Sequence, residues 1–285
     1  MKLMNAAGTC RDHATAWILA GSVVVEEIVI GSYTPDKSVG LPNAYYYDRV
    51  TRTSYNAKRM PNCGLDELLR ELPDYLTIVK DSKKKLRISI AAPTIVDFID
   101  MVEQIMDLVG VDIVHVRFEF NPSCPNSKAM FNAYDPSFIE NLVRKLSADT
   151  FKKAYKALKI SPIPPCMPLF GDMVKALKCV EGGIQEVVAC NTQPDVFMLS
   201  SLFQHSDGYC GMGGQGLHHT SLGVVHALER AVLSEHLEVT GCGGIEDYQS
   251  AHRMGMAGAF RGQIGTAFIE QGVSVFNNIG IMPND

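Results

Sequence analysis

The chain lacks any CxxC pair and any His spacing of the kind that holds zinc, although it contains eight cysteines. That argues against a zinc module and against a disulfide framework. The cysteines are scattered, and several, such as Cys190 and Cys242, sit inside apolar runs, as reduced intracellular thiols do. No apolar run reaches the roughly 18 residues a membrane span needs. The N-terminus has no basic stretch followed by an apolar core and cleavage site, so no secretory signal is expected. A basic excess is also missing: the net charge of −5 argues against nucleic acid as the main partner. No linker, repeat or low-complexity segment divides the chain. A composition 46% hydrophobic and 20% charged suits a globular protein. The expectation is a soluble, cytoplasmic, single-domain protein over residues 1–285, with no membrane or nucleic-acid partner and no metal site.

Short β-branched runs alternate with longer helical patterns. Strands are predicted at 22–30, 86–92, 112–120, 160–167, 186–192, 237–243 and 259–267, with a stub at 3–7. Helices are predicted at 12–20, 65–79, 94–109, 136–146, 171–181, 217–235 and 246–255. Within 94–109 the apolar residues Ile95, Phe98, Ile99, Val102, Ile105, Met106 and Val109 recur at intervals of mostly 3 and 4, which places them on one helix face. Asp135-Pro136 opens the next helix with a cap residue and a proline at its first position. Eight strands and about as many helices predict an α/β fold, a (β/α)8 TIM barrel, with a doubly wound sheet as the runner-up. Two irregular stretches, 31–64 and 193–216, are too long for ordinary connections and read as functional loops.

The chemistry falls at strand ends, where a barrel builds its active site. Asn121-Pro122-Ser123-Cys124-Pro125-Asn126 follows the fourth strand and holds one thiol between two carboxamides, on a backbone stiffened by prolines. A thiol there offers a base or nucleophile, and the amides offer neutral donors and acceptors suited to a cyclic amide. The other reading is a proline-rich turn with a buried cysteine. Asn191 and Thr192 end the sixth strand, Gly243-Gly244 the seventh and Gly265-Thr266 the eighth. Gly213-Gly214 precedes a long helix. Such glycine turns let backbone N–H groups approach a phosphate.

These elements resemble the dihydroorotate dehydrogenase family, in its soluble, FMN-containing branch. The resemblance runs from Asn5-Ala6-Ala7-Gly8 through Met60-Pro61-Asn62-Cys63-Gly64-Leu65-Asp66 and the 121–126 segment. It continues at Gly211-Met212-Gly213-Gly214, Gly241-Cys242-Gly243-Gly244-Ile245 and Gln263-Ile264-Gly265-Thr266-Ala267. It implies that Cys124 removes the C5 proton of dihydroorotate and that hydride then passes from C6 to the flavin N5. Asn56, Asn121, Asn126, Asn191 and Thr192 would hold the pyrimidine, with Arg59 and Met60 in the substrate loop. Gly243, Gly244, Gly265 and Thr266 would hold the FMN phosphate, and Gly213 and Gly214 would also bind the cofactor. Ala6, Ala7 and Gly8 would pack beside the flavin. The resemblance also implies a homodimer, and it leaves the electron acceptor open.

Several departures stand out. The family's lysine at the end of the second strand aligns with Glu26, and its lysine at the end of the fifth strand aligns with Cys166. Lys58 and Arg59 introduce cations where the family has uncharged residues, and a relocated carboxylate-binding charge is one reading of them. His218-His219 takes the place of a Lys-Pro pair and reads as an ordinary helix start. The tail, 273–285, is expected to lack a full closing helix. Two functions follow: an FMN-dependent oxidoreductase for dihydroorotate or a related dihydropyrimidine, or a non-catalytic barrel that binds or regulates.

Overall fold

The computed structural model describes residues 1–41, 43–122, 132, 134–197, 209–232 and 237–280. Eight parallel strands close into a barrel: β1 (Lys2–Asn5), β2 (Val25–Tyr33), β5 (Lys85–Ile90), β6 (Val116–Phe120), β7 (Tyr155–Ile160), β8 (Glu186–Ala189), β11 (Glu238–Cys242) and β12 (Arg261–Ile264). Around the ring the order is β1-β12-β11-β8-β7-β6-β5-β2, so each strand pairs with its neighbours in the chain's barrel sequence and the last closes on the first. The expected barrel is therefore the observed one.

The surrounding helices are α1 (His13–Ala20), α2 (Leu65–Asp81), α3 (Ile95–Val109), α4 (Pro136–Leu146), α5 (Pro168–Leu177), α6 (Gln215–Val232), α7 (Tyr248–Met256), α8 (Thr266–Gln271) and α9 (Ser274–Gly280). Their starts follow from local chemistry. The Thr94 hydroxyl accepts from the Asp97 N–H at 3.2 Å and opens α3. Phe98, Met101, Val102, Ile105 and Val109 then turn one buried face to the barrel. Asp135 caps α4 with Pro136 at its first turn. Asp247 and Ser250 cap α7 reciprocally. The tail does contain a short helix, α9, and it buries Val275, Phe276 and Ile279.

One strand lies elsewhere than expected. β7 spans Tyr155–Ile160, and the predicted 160–167 run is irregular. Pro162, Pro164 and Pro165 have no N–H to give a central ladder, so the pairing must stop at Ile160. The strand was obscured by its lysines. Lys156 is buried because its Nζ donates to the carbonyls of Leu146 at 2.8 Å, Phe151 at 3.3 Å and Gly182 at 3.0 Å.

The two long loops are also structured. The first contains β3 (Tyr45–Asp48) and β4 (Thr53–Asn56), and the second contains β9 (Gln193–Phe197) and β10 (Tyr209–Gly214). They assemble an antiparallel sheet in the order β3-β4-β10-β9, with Tyr55 opposite both Tyr46 and Met212. Both segments leave the C-terminal ends of barrel strands, β2 and β8. The sheet therefore stands on the face where barrel sites are built.

The N-terminal half of the barrel interior is ionic. Arg87 donates to both oxygens of Glu186, at 2.7 and 2.8 Å, and to Glu27 at 2.9 Å. Arg117 reaches Glu27 at 2.7 Å, and Arg261 pairs with Glu186 and Glu238. Each charge has a bonded partner, which is the condition for tolerating charge in a closed interior. Above this layer, toward the C-terminal mouth, lie Glu119, Lys159 and Gln263. No helix among the described residues is long and apolar enough to cross a membrane.

Candidate active site

A cavity of about 400 Å³ opens at the C-terminal mouth of the barrel, beneath the small sheet. That is within the range of small-molecule and cofactor sites. Its floor is the barrel. Lys159 Nζ, at the end of β7, donates to Gln263 Oε1 at 3.0 Å and lies 3.6 Å from Glu119 Oε1. Burial alone would depress its pKa, but the Glu119 carboxylate outweighs burial and raises it. The group therefore holds a fixed positive charge under the cavity. Cys190 and Cys242 lie beside it, joined through the Cys190 N–H to the Cys242 carbonyl at 3.0 Å. Burial pushes both thiols up, so they stay protonated.

One wall is a chain of neutral polar groups. The Asn121 amide donates to Ser32 Oγ at 3.0 Å, and the Asn191 amide donates to Asn121 Oδ1 at 3.0 Å. The Thr192 N–H returns to Asn191 Oδ1 at 2.9 Å. Asn56, at the end of β4, faces the same space and donates to the Gly211 carbonyl at 3.4 Å. Strand ends from β2, β4, β6 and β8 thus converge on one volume.

The opposite wall is made of turns. Gly214, Gly243 and Gly244 have φ of +71°, +135° and +68°. A Cβ on Gly244 would come within 2.6 Å of the His218 Cβ, so only glycine fits there. The His218 ring is buried against this turn. Its Nδ1 lies 3.0 Å from the Gly243 carbonyl, and Arg253 Nε donates to its Nε2 at 3.3 Å. Those partners require the neutral tautomer with the proton on Nδ1. Burial accordingly holds its pKa below 6.5. His218 is thus a brace for the glycine turn, more than an ordinary helix start. Thr266 opens α8, and its hydroxyl pairs with Ser54 Oγ at 2.7 Å. On the β1 side, a Cβ on Gly8 would meet no atom within 4 Å, and a Cβ on Gly265 would meet only Ala6 at 3.5 Å. The wall is open there.

Sequence comparison agrees with this geometry. The model of the family described as dihydroorotate dehydrogenase matches residues 2–281. The chain belongs to the dihydroorotate dehydrogenase family. It is 29% identical over 259 residues to dihydroorotate dehydrogenase A (fumarate) of Lactococcus lactis subsp. lactis, covering 87% of this chain and 78% of that protein. It is 25% identical over 251 residues to the catalytic subunit of dihydroorotate dehydrogenase B (NAD(+)) of Thermoplasma acidophilum, covering 85% and 77%. Among solved structures, Eimeria tenella dihydroorotate dehydrogenase in complex with ferulenol superposes with a TM-score of 0.76 at 17% identity, covering 98% of this chain and 79% of that one. That likeness establishes the fold. The family is one of oxidoreductases, and this chain is a dihydroorotate dehydrogenase-like enzyme.

Of the residues expected at a dihydroorotate dehydrogenase site, the structure gathers Ala6, Ala7, Gly8, Asn56, Met60, Asn121, Asn191, Thr192, Gly213, Gly214, Gly243, Gly244, Gly265 and Thr266 around the one cavity. Arg59 is exposed and does not line it. Cys124 and Asn126 lie outside the described residues.

Both expected lysine replacements are corrected. Cys166 is exposed and six residues beyond the end of β7, whereas Lys159 occupies the end of that strand and faces the cavity. The proline run had shifted the strand, and the alignment with it. Glu26 is the second residue of β2, at the barrel base, paired with Lys2 at 3.2 Å. The end of β2 at the cavity is Gly31-Ser32-Tyr33. Sequence reasoning missed Lys159, Ser32 and Arg11 on the cavity wall. For Lys159 a signal existed: a cation inside the apolar run Ala157-Leu158-Lys159-Ile160 must have a buried partner.

Proposed function

We propose that this chain catalyses the FMN-dependent oxidation of dihydroorotate to orotate, a step of pyrimidine biosynthesis. One observation carries the reading: the Ser32–Asn121–Asn191 amide chain and the charged Lys159 face a single cavity at the mouth of the barrel. A dihydropyrimidine presents alternating carbonyl and N–H groups. Carboxamides and hydroxyls match these with donors and acceptors without adding charge.

FMN fits the residues present. Gly8 and Gly265 leave open space where side chains would otherwise stand, and the tight Gly243-Gly244 turn and the Gly265-Thr266 helix start put backbone without side chains on the cavity wall, where its N–H groups can serve a phosphate. Gly243, Gly244, Gly265 and Thr266 would hold the phosphate, with Gly213 and Gly214 alongside, and Ala6, Ala7 and Gly8 would pack beside the ring system. When bound, the flavin supplies a two-electron acceptor that side chains cannot provide. Lys159 sets a permanent cation against that acceptor, which favours negative charge building up there.

The proton must go to a base. Among the described cavity thiols, Cys10 is pushed up to about 12 by burial, and burial raises Cys63, Cys190 and Cys242 as well. None of these suits proton abstraction near neutrality. We assign the base to Cys124, which follows the strand end that delivers Asn121, and we place Asn126 with the ring-binding amides. A second reading, oxidation of a dihydropyrimidine without a carboxylate, is favoured by the absence of lysine from Gly31-Ser32-Tyr33 at the end of β2.

Incubating the purified protein with dihydroorotate and a redox dye, and measuring orotate by chromatography, tests the reading. Orotate should form at the rate of dye reduction, and Cys124→Ala should lower that rate by at least ~100-fold. Dye reduction with dihydrouracil alone would establish the second reading. No product from either substrate would refute both.

A further inference from the structure

We infer that Lys58 and Arg11 form an anion-binding pair on the cavity wall, and that its occupant is the carboxylate of the substrate. The inference rests on the pyrimidine reading above and adds to it the residues that select a carboxylated ring.

Both side chains line the cavity. Arg11 is fixed by its own backbone environment. Its Nε–H donates to the Gly8 carbonyl at 3.1 Å, and the Gly8 N–H donates to the Gly31 carbonyl at 2.5 Å. The guanidinium is thereby tethered beside the end of β2. Lys58 follows Asn56 by two residues. Ala57 between them is buried in a small cluster with Ala44 and Cys210 and does not line the cavity, whereas Asn56 and Lys58 do. Alternation along extended chain therefore turns Asn56 and Lys58 to the same side, the cavity side. A ring held by Asn56 has Lys58 within reach of its substituent.

Neither side chain makes an ion pair within 4 Å among the described residues, and Glu270 is the carboxylate that acts on Lys58 from farther away. Lys58 Nζ lies over the Tyr45 ring, 4.6 Å from its centroid, and has no hydrogen-bond acceptor among the described residues. The Tyr45 hydroxyl donates to Glu270 at 2.8 Å, which holds that carboxylate on the far side of the tyrosine while leaving its charge in place. Burial, and then the Arg11 charge, hold the Lys58 pKa down, with Glu270 opposing them weakly. Two cations facing one cavity repel each other until an anion lies between them. A carboxylate suits this pair, because guanidinium offers two parallel donors and ammonium a third. The cavity's glycine-lined end is different. There Glu246, paired with Arg52, puts a carboxylate on the wall in place of a cation.

The shared chemistry, an anionic oxygen group, could also be the cofactor's phosphate, and the test separates the two. Orotate and uracil, the same ring with and without the carboxylate, are titrated calorimetrically into the flavin-loaded wild type and into Lys58→Met, Arg11→Met and Lys58→Arg. FMN and riboflavin are titrated into the flavin-free proteins. The pair predicts that Lys58→Met and Arg11→Met each weaken orotate by about tenfold or more, leave uracil within about twofold, and leave the FMN-to-riboflavin ratio unchanged. Lys58→Arg should recover most of the loss. Orotate bound equally well by wild type and both Met variants would overturn the pair and leave the pyrimidine reading standing. Loss of FMN over riboflavin, without loss of orotate over uracil, would overturn it in favour of the phosphate. A wild type that binds neither pyrimidine would overturn the inference and the pyrimidine reading together.

Discussion

Lys159 is 5% exposed and keeps its charge because Glu119 stands 3.6 Å away. A buried cation at that point acts on whatever accepts electrons above it. Replacing it with glutamine keeps a donor for Gln263 and removes the charge. Lys159→Gln should therefore lower the two-electron midpoint potential of the bound flavin by about 20–60 mV, equivalent to about 1–3 kcal/mol. Spectroelectrochemistry reads this directly, and an unchanged potential would place Lys159 outside the electrostatics of the site. His218 makes a different claim. It must be neutral to donate to Gly243 and accept from Arg253, so its folded pKa is below 6.5. The unfolded chain then binds more protons wherever pH lies between the two values. The stabilisation is complete above 6.5 and is lost as pH falls toward the lowered folded value. Melting curves from pH 8 down to about 5 should show a steeper acid decline in wild type than in His218→Gln. Parallel declines would contradict the tautomer assigned here.

At the scale of elements, the site is a set of strand ends and the turns that follow them. Gly244 shows how tightly a turn is drawn. An alanine there would press its Cβ to 2.6 Å from His218 and 2.9 Å from the Gly214 carbonyl, at a φ of +68°. Gly244→Ala should cost about 1–3 kcal/mol of stability and at least tenfold in FMN affinity, read by urea unfolding and by fluorescence titration. Elements with local punctuation were legible in the sequence. α3 and α4 declare themselves by Thr94 and by Asp135-Pro136, and their apolar spacing sets the buried face. β7 was not legible, because its two lysines break the apolar pattern and find their acceptors outside the strand, Lys156 at the Leu146 carbonyl and Lys159 at the Gln263 amide oxygen. That single misplacement turned Lys159 into an apparent Cys166. The β3-β4-β10-β9 sheet was also hidden, since the pairing that joins its two hairpins, β4 with β10, spans more than 150 residues of chain, as at Asn56 and Gly211. Ser32, at the end of β2, and Arg11, in the turn between β1 and α1, were missed for the same reason: their roles depend on neighbours from other parts of the chain.

The whole molecule rests on charge balanced inside a closed ring. Arg87 is fully buried and joins β5 to β2 and β8 through Glu27 and Glu186. Removing it leaves two carboxylates in a dry interior with too few partners. Arg87→Met should lower stability by about 3–5 kcal/mol at neutral pH, measured by chemical denaturation. Burial would raise the Glu186 pKa, but Arg87 and then Arg261 more than offset that and hold it down at about 2. The contribution of this carboxylate is therefore present above its ordinary 4.5 and lost as pH falls from there toward 2, so the gap between wild type and Arg87→Met should narrow over that interval. A gap constant with pH would mean that packing, not charge, accounts for the loss.

The same closed ring carries the amides, the cation and the glycine turns to one mouth, and the central claim is that they work there on a flavin and a dihydropyrimidine. Its most direct test is the visible absorbance spectrum of the purified protein, supplemented with FMN and kept anaerobic, before and after dihydroorotate is added. The account predicts flavin bands that bleach in proportion to the orotate formed. A protein that takes up no FMN, or whose bound flavin stays oxidised with every dihydropyrimidine offered, would contradict it.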